Sequence, residues 1–307
     1  MGTKLIDLGS YPVEIALNTL LKDKTTRKNI IFATDIYSSY AIGEKASVTK
    51  NALNVISIQP RVEKSIEEKA QRTKTKAEVF TPSWIVNQMN NFCDKDWFGR
   101  KEVFNTENDD HSWTTNESKI IFSDKQSWQD YVKLRRVEIT CGEAPFVVSR
   151  YDTATGEEIP VKNRVGFLDR KLRIVSENTE TEEDWIKWST KALQSSYGYE
   201  FQGDNLLIAR INILDSMCEY RDQRFGGKTS DRQILEWANV ITWNFWQMDG
   251  LTGCIPFGKI REPKQLGLGL CGEETGTDID DQPDEECKIR DWRSDKAIKY
   301  NTMKEGM

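Results

Sequence analysis

Three apolar runs in this chain each stop at a glycine or a carboxylate, and each stop is tied to a helix-like stretch. "VEIT" leads into "CGEAPF" at Cys141–Phe146, "YGYEF" carries Glu200 at its end, and "VITWNFWQMDGL" runs to Asp249. Short apolar runs alternating with amphipathic segments specify strand–helix units, and a repeated unit of that kind specifies a parallel α/β sheet. Between the first two runs, "SENTETEEDWIKWSTKALQSS" has helical spacing. After Glu200 a largely apolar helix follows, with Leu206, Arg210, Ile213 and Met217 beside Leu207, Ile211, Leu214 and Cys218, and with Asp204 placed to cap it. "SDRQILEWAN" supplies one more helix, and "VITWNFWQMD" is expected to be a buried strand.

The N-terminal part is patterned differently. "YPVEIALNTLLKD" is spaced as a helix, "KNIIFATD" as a short buried strand, and the charged stretch Arg61 to Glu78 as an exposed helix or arm. These give an α/β or helical extension over 1–78, ahead of a cofactor-binding domain over 79–307. Pro82 suits the first turn of a helix that begins at Ser83, with Trp84, Ile85 and Met89 as its apolar stripe. Loops are expected over 101–130 and 262–290; the second holds the acidic run "EETGTDIDDQPDEE".

Composition removes several functions. The chain has 307 residues and one histidine, His111, which argues against His-based metal chemistry and a Ser-His-Asp triad. Its six cysteines form no CxxC pair, so they read as reduced thiols of a cytoplasmic protein. No apolar run approaches the roughly 20 residues that a membrane-spanning helix needs. A formal charge of -6 argues against a globally basic nucleic-acid binder, although a local basic face can coexist with it.

In an open parallel sheet, ligands bind beyond the carboxyl ends of the strands. A glycine at Gly142 lets backbone approach a ligand closely, and a following helix could present its N–H groups. Glu200 could accept both hydroxyls of a ribose, and Asp249 a hydrogen bond from an exocyclic amine. Together they describe a site for an adenosine-bearing cofactor. Each also has a plainer reading: a strand-to-loop turn at Cys141–Phe146, a carboxylate capping its own helix at Glu200, and an Asp-Gly turn at Asp249. Asp35 with Glu67 and Lys69 formally permits a nuclease centre, but in a helical, charged context that does not suit one.

The order of these segments resembles the adenine-N6 DNA methyltransferases of bacterial restriction–modification systems, in the subclass whose cofactor motif precedes the catalytic one. Phe80, Thr81 and Pro82 match the family's "FTP" segment, and Thr140 to Phe146 most of its glycine-rich loop. Gly198 to Asp204 match the ribose-binding strand end, and Met248 to Leu251 the adenine-binding one. The resemblance implies a Rossmann-like S-adenosylmethionine-dependent methyltransferase sheet with a helical N-terminal extension. The cofactor would be bound by Phe80, Thr81, Pro82, Thr140, Cys141, Gly142, Glu143, Phe146, Glu200, Phe201, Asp249 and Gly250.

Two departures stand out. Glu143 and Ala144 replace the family's Ser and Gly, narrowing the room beside the cofactor. No Asn-Pro-Pro-Tyr or Asp-Pro-Pro-Tyr segment occurs between Asp249 and Met307, so no catalytic residue is assigned. The expectation is therefore the cofactor-binding front of a methyltransferase, acting on DNA through a second polypeptide that carries the catalytic and target-recognition half. A non-catalytic regulatory or interaction subunit is the alternative.

Overall fold

A computed structural model describes residues 4–76, 81–259 and 285–304. In chain order the helices and strands are α1 (Val13–Leu20), α2 (Lys50–Val55), α3 (Ile66–Lys76), α4 (Ser83–Phe98), β1 (Asn105–Glu107), β2 (Trp113–Thr115), α5 (Trp128–Lys133) and β3 (Arg136–Glu138). They continue with α6 (Phe167–Asn178), α7 (Glu182–Gln194), β4 (Ser196–Glu200), α8 (Gly203–Phe225), α9 (Asp231–Asn244), β5 (Phe245–Gln247), β6 (Lys288–Asp291), β7 (Lys296–Lys299) and α10 (Tyr300–Lys304).

The expected parallel sheet is present among the described residues as three strands in the order β3-β4-β5. Val137 pairs with Tyr197, and Tyr199 with Trp246, both in parallel. Helices α6 and α7 connect β3 to β4, and α8 and α9 connect β4 to β5, which is how parallel neighbours must be joined. The pairs β1–β2 and β6–β7 are antiparallel hairpins.

Helix α8 is the centre of the molecule. Leu206, Leu207, Ile208, Ile211, Ile213, Leu214 and Met217 are all buried, so apolar residues surround the helix axis instead of forming one stripe. Its first residue has to be glycine. A Cβ on Gly203 would lie 2.0 Å from the Ile31 carbonyl oxygen, and the Gly203 N–H donates to Phe32 at 2.9 Å. Arg210 is buried in the same helix and donates to the carbonyls of Phe245, Leu20 and Lys22, tying β5 to the end of α1. Burial lowers its pKa to about 10. Residues of α1 and of 30–58 join α8 and α9 in one hydrophobic core.

Several expectations are corrected. "KNIIFATD" forms isolated bridges (Lys22 with Asn29, Ile31 with Ser47) and no strand. The backbone of Ile31 is satisfied by the Gln247 side chain, which accepts from Ile31 N–H at 2.9 Å and donates to Ile31 O at 2.7 Å. In "VITWNFWQMD" the helix α9 continues to Asn244 and only Phe245–Gln247 are extended. Trp237 and Ile241 are buried at helical spacing, and a short apolar run does not by itself distinguish the two conformations.

The region 101–130 is more ordered than a loop: it folds into β1 and β2, and α5 starts in it with a capping box between Ser127 and Asp130. Of the second expected loop, 262–284 lies outside the described residues, and its end runs into β6 at Lys288–Asp291. Helix α4 turns a polar face inward: Ser83, Asn87, Asn90 and Asp94 are buried with Val86, while Met89 is 54% exposed. Asp204 lies in the first turn of α8 and not at its N-cap; it accepts from the Asn205 N–H at 2.9 Å, from Arg72 and from the Tyr37 hydroxyl. No helix follows the Cys141–Phe146 loop directly, since α6 begins only at Phe167. Among the described residues, no helix is long and apolar enough to cross a membrane.

Candidate functional site

The carboxyl ends of β3 and β4 open into a cleft of about 860 Å³. Its floor is the loop after β3. Gly142 has φ +53°, a left-handed conformation that costs glycine little, while Thr140 (φ +48°) and Ala144 (φ +64°) adopt left-handed conformations against their preference. Such strain persists only where surrounding contacts impose it. Here Cys141 N–H donates to Tyr199 O at 2.8 Å, and Gly142 N–H donates to the Glu200 carboxylate at 2.9 Å.

The cleft gathers Thr81, Thr140, Cys141, Gly142, Phe146, Glu200 and Phe201 from distant parts of the chain. Glu200 is buried, and its second oxygen accepts from Gln202 N–H at 3.0 Å. The carboxylate thus ties the residue that precedes α8 to the loop after β3. Burial raises its pKa, and the N–H donors of Gln202 and Gly142 oppose the rise. Each oxygen keeps a lone pair for a further donor. Thr81 is fixed from outside: its carbonyl accepts from the Thr153 hydroxyl at 2.9 Å. Cys141 is buried, and burial pushes its thiol well above the ordinary value.

Other expected residues stand elsewhere. Glu143 turns away from the cleft, accepting from Arg61 N–H at 2.6 Å and the Tyr151 hydroxyl at 2.7 Å, so it does not narrow it. Pro82 is the residue before the first turn of α4. Asp249 accepts from Leu251 N–H at 2.8 Å in an Asp-Gly turn, and a Cβ on Gly250 would come within 2.9 Å of the Tyr199 ring; neither lines the cleft. Phe80 lies outside the described residues.

The cleft also contains residues that the motif pattern passes over: Arg136, Glu138, Asn90 and Asn205. Glu138 is 8% exposed, and its Oε2 has no hydrogen-bond partner. Burial drives its pKa well above the ordinary carboxylate range; Phe146 and Val147 N–H groups oppose this, and the charge of Glu200 adds to it. Asn205 Oδ1 and one Arg136 Nη are likewise buried without a partner. Buried polar groups are nearly always paired, so three unsatisfied ones around one cleft suit a polar ligand. The signal for Glu138 was a carboxylate inside an apolar strand, one turn ahead of a glycine loop.

Phe146, Phe167, Phe201 and Met89 supply apolar wall. An apolar cleft with two buried carboxylates accommodates a molecule with a ring, hydrogen-bond donors and positive charge. Compared with known proteins, the chain matches no family model, no curated protein and no solved structure.

Proposed function

We propose that the cleft binds S-adenosylmethionine, and that the chain is the cofactor-binding part of a DNA adenine-N6 methyltransferase of a restriction–modification system. The supporting observation is the convergence of Thr81, the Thr140–Gly142 loop, Phe146, Glu200 and Phe201 on one cleft at the carboxyl ends of parallel strands. The donor set fits the group. Glu138 Oε2 and Asn205 Oδ1 are unsatisfied acceptors, suited to the ammonium end and to hydroxyl or amine donors. Glu200 would hold the ribose. The sheet would be the cofactor half of a Rossmann-like methyltransferase fold.

When bound, the cofactor supplies an electrophilic methyl group. The residues of this chain hold and orient it, and the Phe146, Phe167 and Phe201 side chains exclude water from it. The Asn-Pro-Pro-Tyr segment that would position a flipped adenine must come from outside these 307 residues. A second polypeptide is the proposed source. Among the described residues β3 is an edge strand of the sheet, and Val137 on it and Ile139 just after it are 46% and 65% exposed, which would leave room beside the cleft for another strand.

Calorimetric titration with S-adenosylmethionine tests this reading. Saturable binding with a micromolar Kd is expected, weakened about ten-fold or more, or about 1.4 kcal/mol, by Glu138→Gln. No binding by a chain with an intact circular dichroism spectrum would refute it. Methyl transfer to DNA, assayed with and without a polypeptide carrying the tetrapeptide, separates the split enzyme from a non-catalytic subunit.

A further inference from the structure

A second cavity, of about 350 Å³, lies where α6 and α8 meet the β1–β2 hairpin and the turn at Val161–Asn163. Its wall holds Lys162, Arg164, Arg170, Arg173 and Arg224 against a single carboxylate, Asp169. We propose that this cavity is a second ligand site, for a molecule bearing a phosphate group. The proposal is independent of the cofactor reading of the cleft.

The cations there are built in. Arg173 pairs with Glu177 at 2.7 Å and donates to the carbonyls of Phe104, Asn116 and Ser118. Arg164 pairs with Glu219 at 2.5 Å and donates to Ile159 O at 3.1 Å. Arg170 is 1% exposed, bound by Asp94, Asn87 and Asn91. The Arg170 and Arg173 guanidiniums lie 5.1 and 5.8 Å from the Phe104 ring centroid. Guanidiniums held in place lose little side-chain entropy when an anion arrives.

Two observations point to a ligand and away from a structural cluster. Arg170, which lines the cavity, has a buried Nε–H with no acceptor. An unsatisfied guanidinium N–H in a fully buried residue is costly, and a phosphate oxygen would satisfy it. The charge balance agrees. With the carboxylates Asp94, Glu177 and Glu219 that pair with these arginines counted, a positive surplus remains in a chain whose formal charge is -6. Lys162 and Arg224 are exposed at the rim, where they can close on the ligand. The volume exceeds what one phosphate fills, and Tyr220 is among the lining residues, so a nucleotide fits better than the bare ion.

The full chain would be titrated calorimetrically with inorganic phosphate, adenosine monophosphate and a short DNA duplex. At least one should bind with a Kd below about 1 mM, more weakly as salt is added. Binding of phosphate alone, of the nucleotide, or only of the duplex would identify the source of the group. The double variant Lys162→Gln/Arg224→Gln changes only rim residues and should lose about ten-fold or more in affinity while keeping its circular dichroism and its S-adenosylmethionine titration unchanged. If none of the three probes binds, or if the double variant binds them as the parent does, the proposal is wrong.

Discussion

The cleft and the cavity are neighbours with opposite chemistry. In the cleft, Glu138 and Glu200 face one cation, Arg136; in the cavity, five cations face Asp169. Both contain buried polar atoms that nothing in the chain satisfies. What joins them is Asp94 of α4. Its carboxylate binds Arg136 of the cleft at 2.5 Å, Arg170 of the cavity, and the Tyr131 hydroxyl at 2.8 Å. One buried carboxylate therefore sets the positions of two guanidiniums that each keep an unspent N–H. The polar inner face of α4 exists for this: Asn87, Asn90, Asn91 and Asp94 all face Arg170, Asn105 or the loop after β3.

The largest effect should come from breaking that joint. Asp94→Ala leaves Arg136 and Arg170 buried with no counter-charge, which costs about 3–5 kcal/mol. Urea unfolding should show the loss as a lower midpoint with an unchanged slope. Asp94→Asn keeps hydrogen-bond acceptance and should cost less. A loss below about 1 kcal/mol in the alanine variant would mean that the two regions are held independently.

A smaller effect separates the regions by pH. Asp169 has its pKa raised to about 6 by burial, against Arg164 and the N–H groups of Ser149 and Gly166. A carboxyl raised above its unfolded value binds a proton more readily in the folded state, so its contribution is full at low pH and fades as pH rises through about 6. With about 1.4 kcal/mol per pKa unit, the group should cost the fold about 3 kcal/mol between pH 4 and pH 7. Asp169→Asn should flatten that slope in thermal unfolding. Glu138→Gln should act in the same direction, raising the melting temperature at pH 8 more than at pH 5 while weakening the cleft's ligand. Stability gained with binding lost marks a carboxylate retained for function. Stability lost at pH 8 would mean that Glu138 is a structural acceptor.

Much of the frame was legible from residue order. The Glu200 strand end and the largely apolar α8 follow from short-range pattern alone, because both are set by burial along one element. The helix running into Asn244 was not legible, since Val240–Phe245 is apolar in either conformation. In the site, the glycine loop could be found because a left-handed φ of +53° costs glycine little. The cleft's Arg136, on β3, and the whole cavity, with cations from α6, α8 and the turn at Val161–Asn163 and its flank, could not be found, because these groups are far apart in the sequence and meet their partners only through tertiary packing. Asp94 gives no sequence signal either: a charge on a helix is ordinarily solvated, and only the arginines opposite make it a core residue.

The smallest effect leaves stability untouched and asks only which region a ligand occupies. Of the five described cysteines, Cys93 is exposed and the other four are buried. Cys93 stands on α4 one residue before Asp94, and it lines the cleft, not the cavity. Among these five, alkylation of the native chain should therefore modify Cys93 first and leave Cys141 intact, because burial keeps the Cys141 thiol protonated. Saturating S-adenosylmethionine should slow the Cys93 reaction about three-fold or more by covering the cleft mouth, whereas adenosine monophosphate in the cavity should not. Mass spectrometry of the alkylated peptides would read both rates in one sample. If both ligands protected Cys93 equally, the cleft and the cavity would be one coupled site, and the opposition between them would be a division within it.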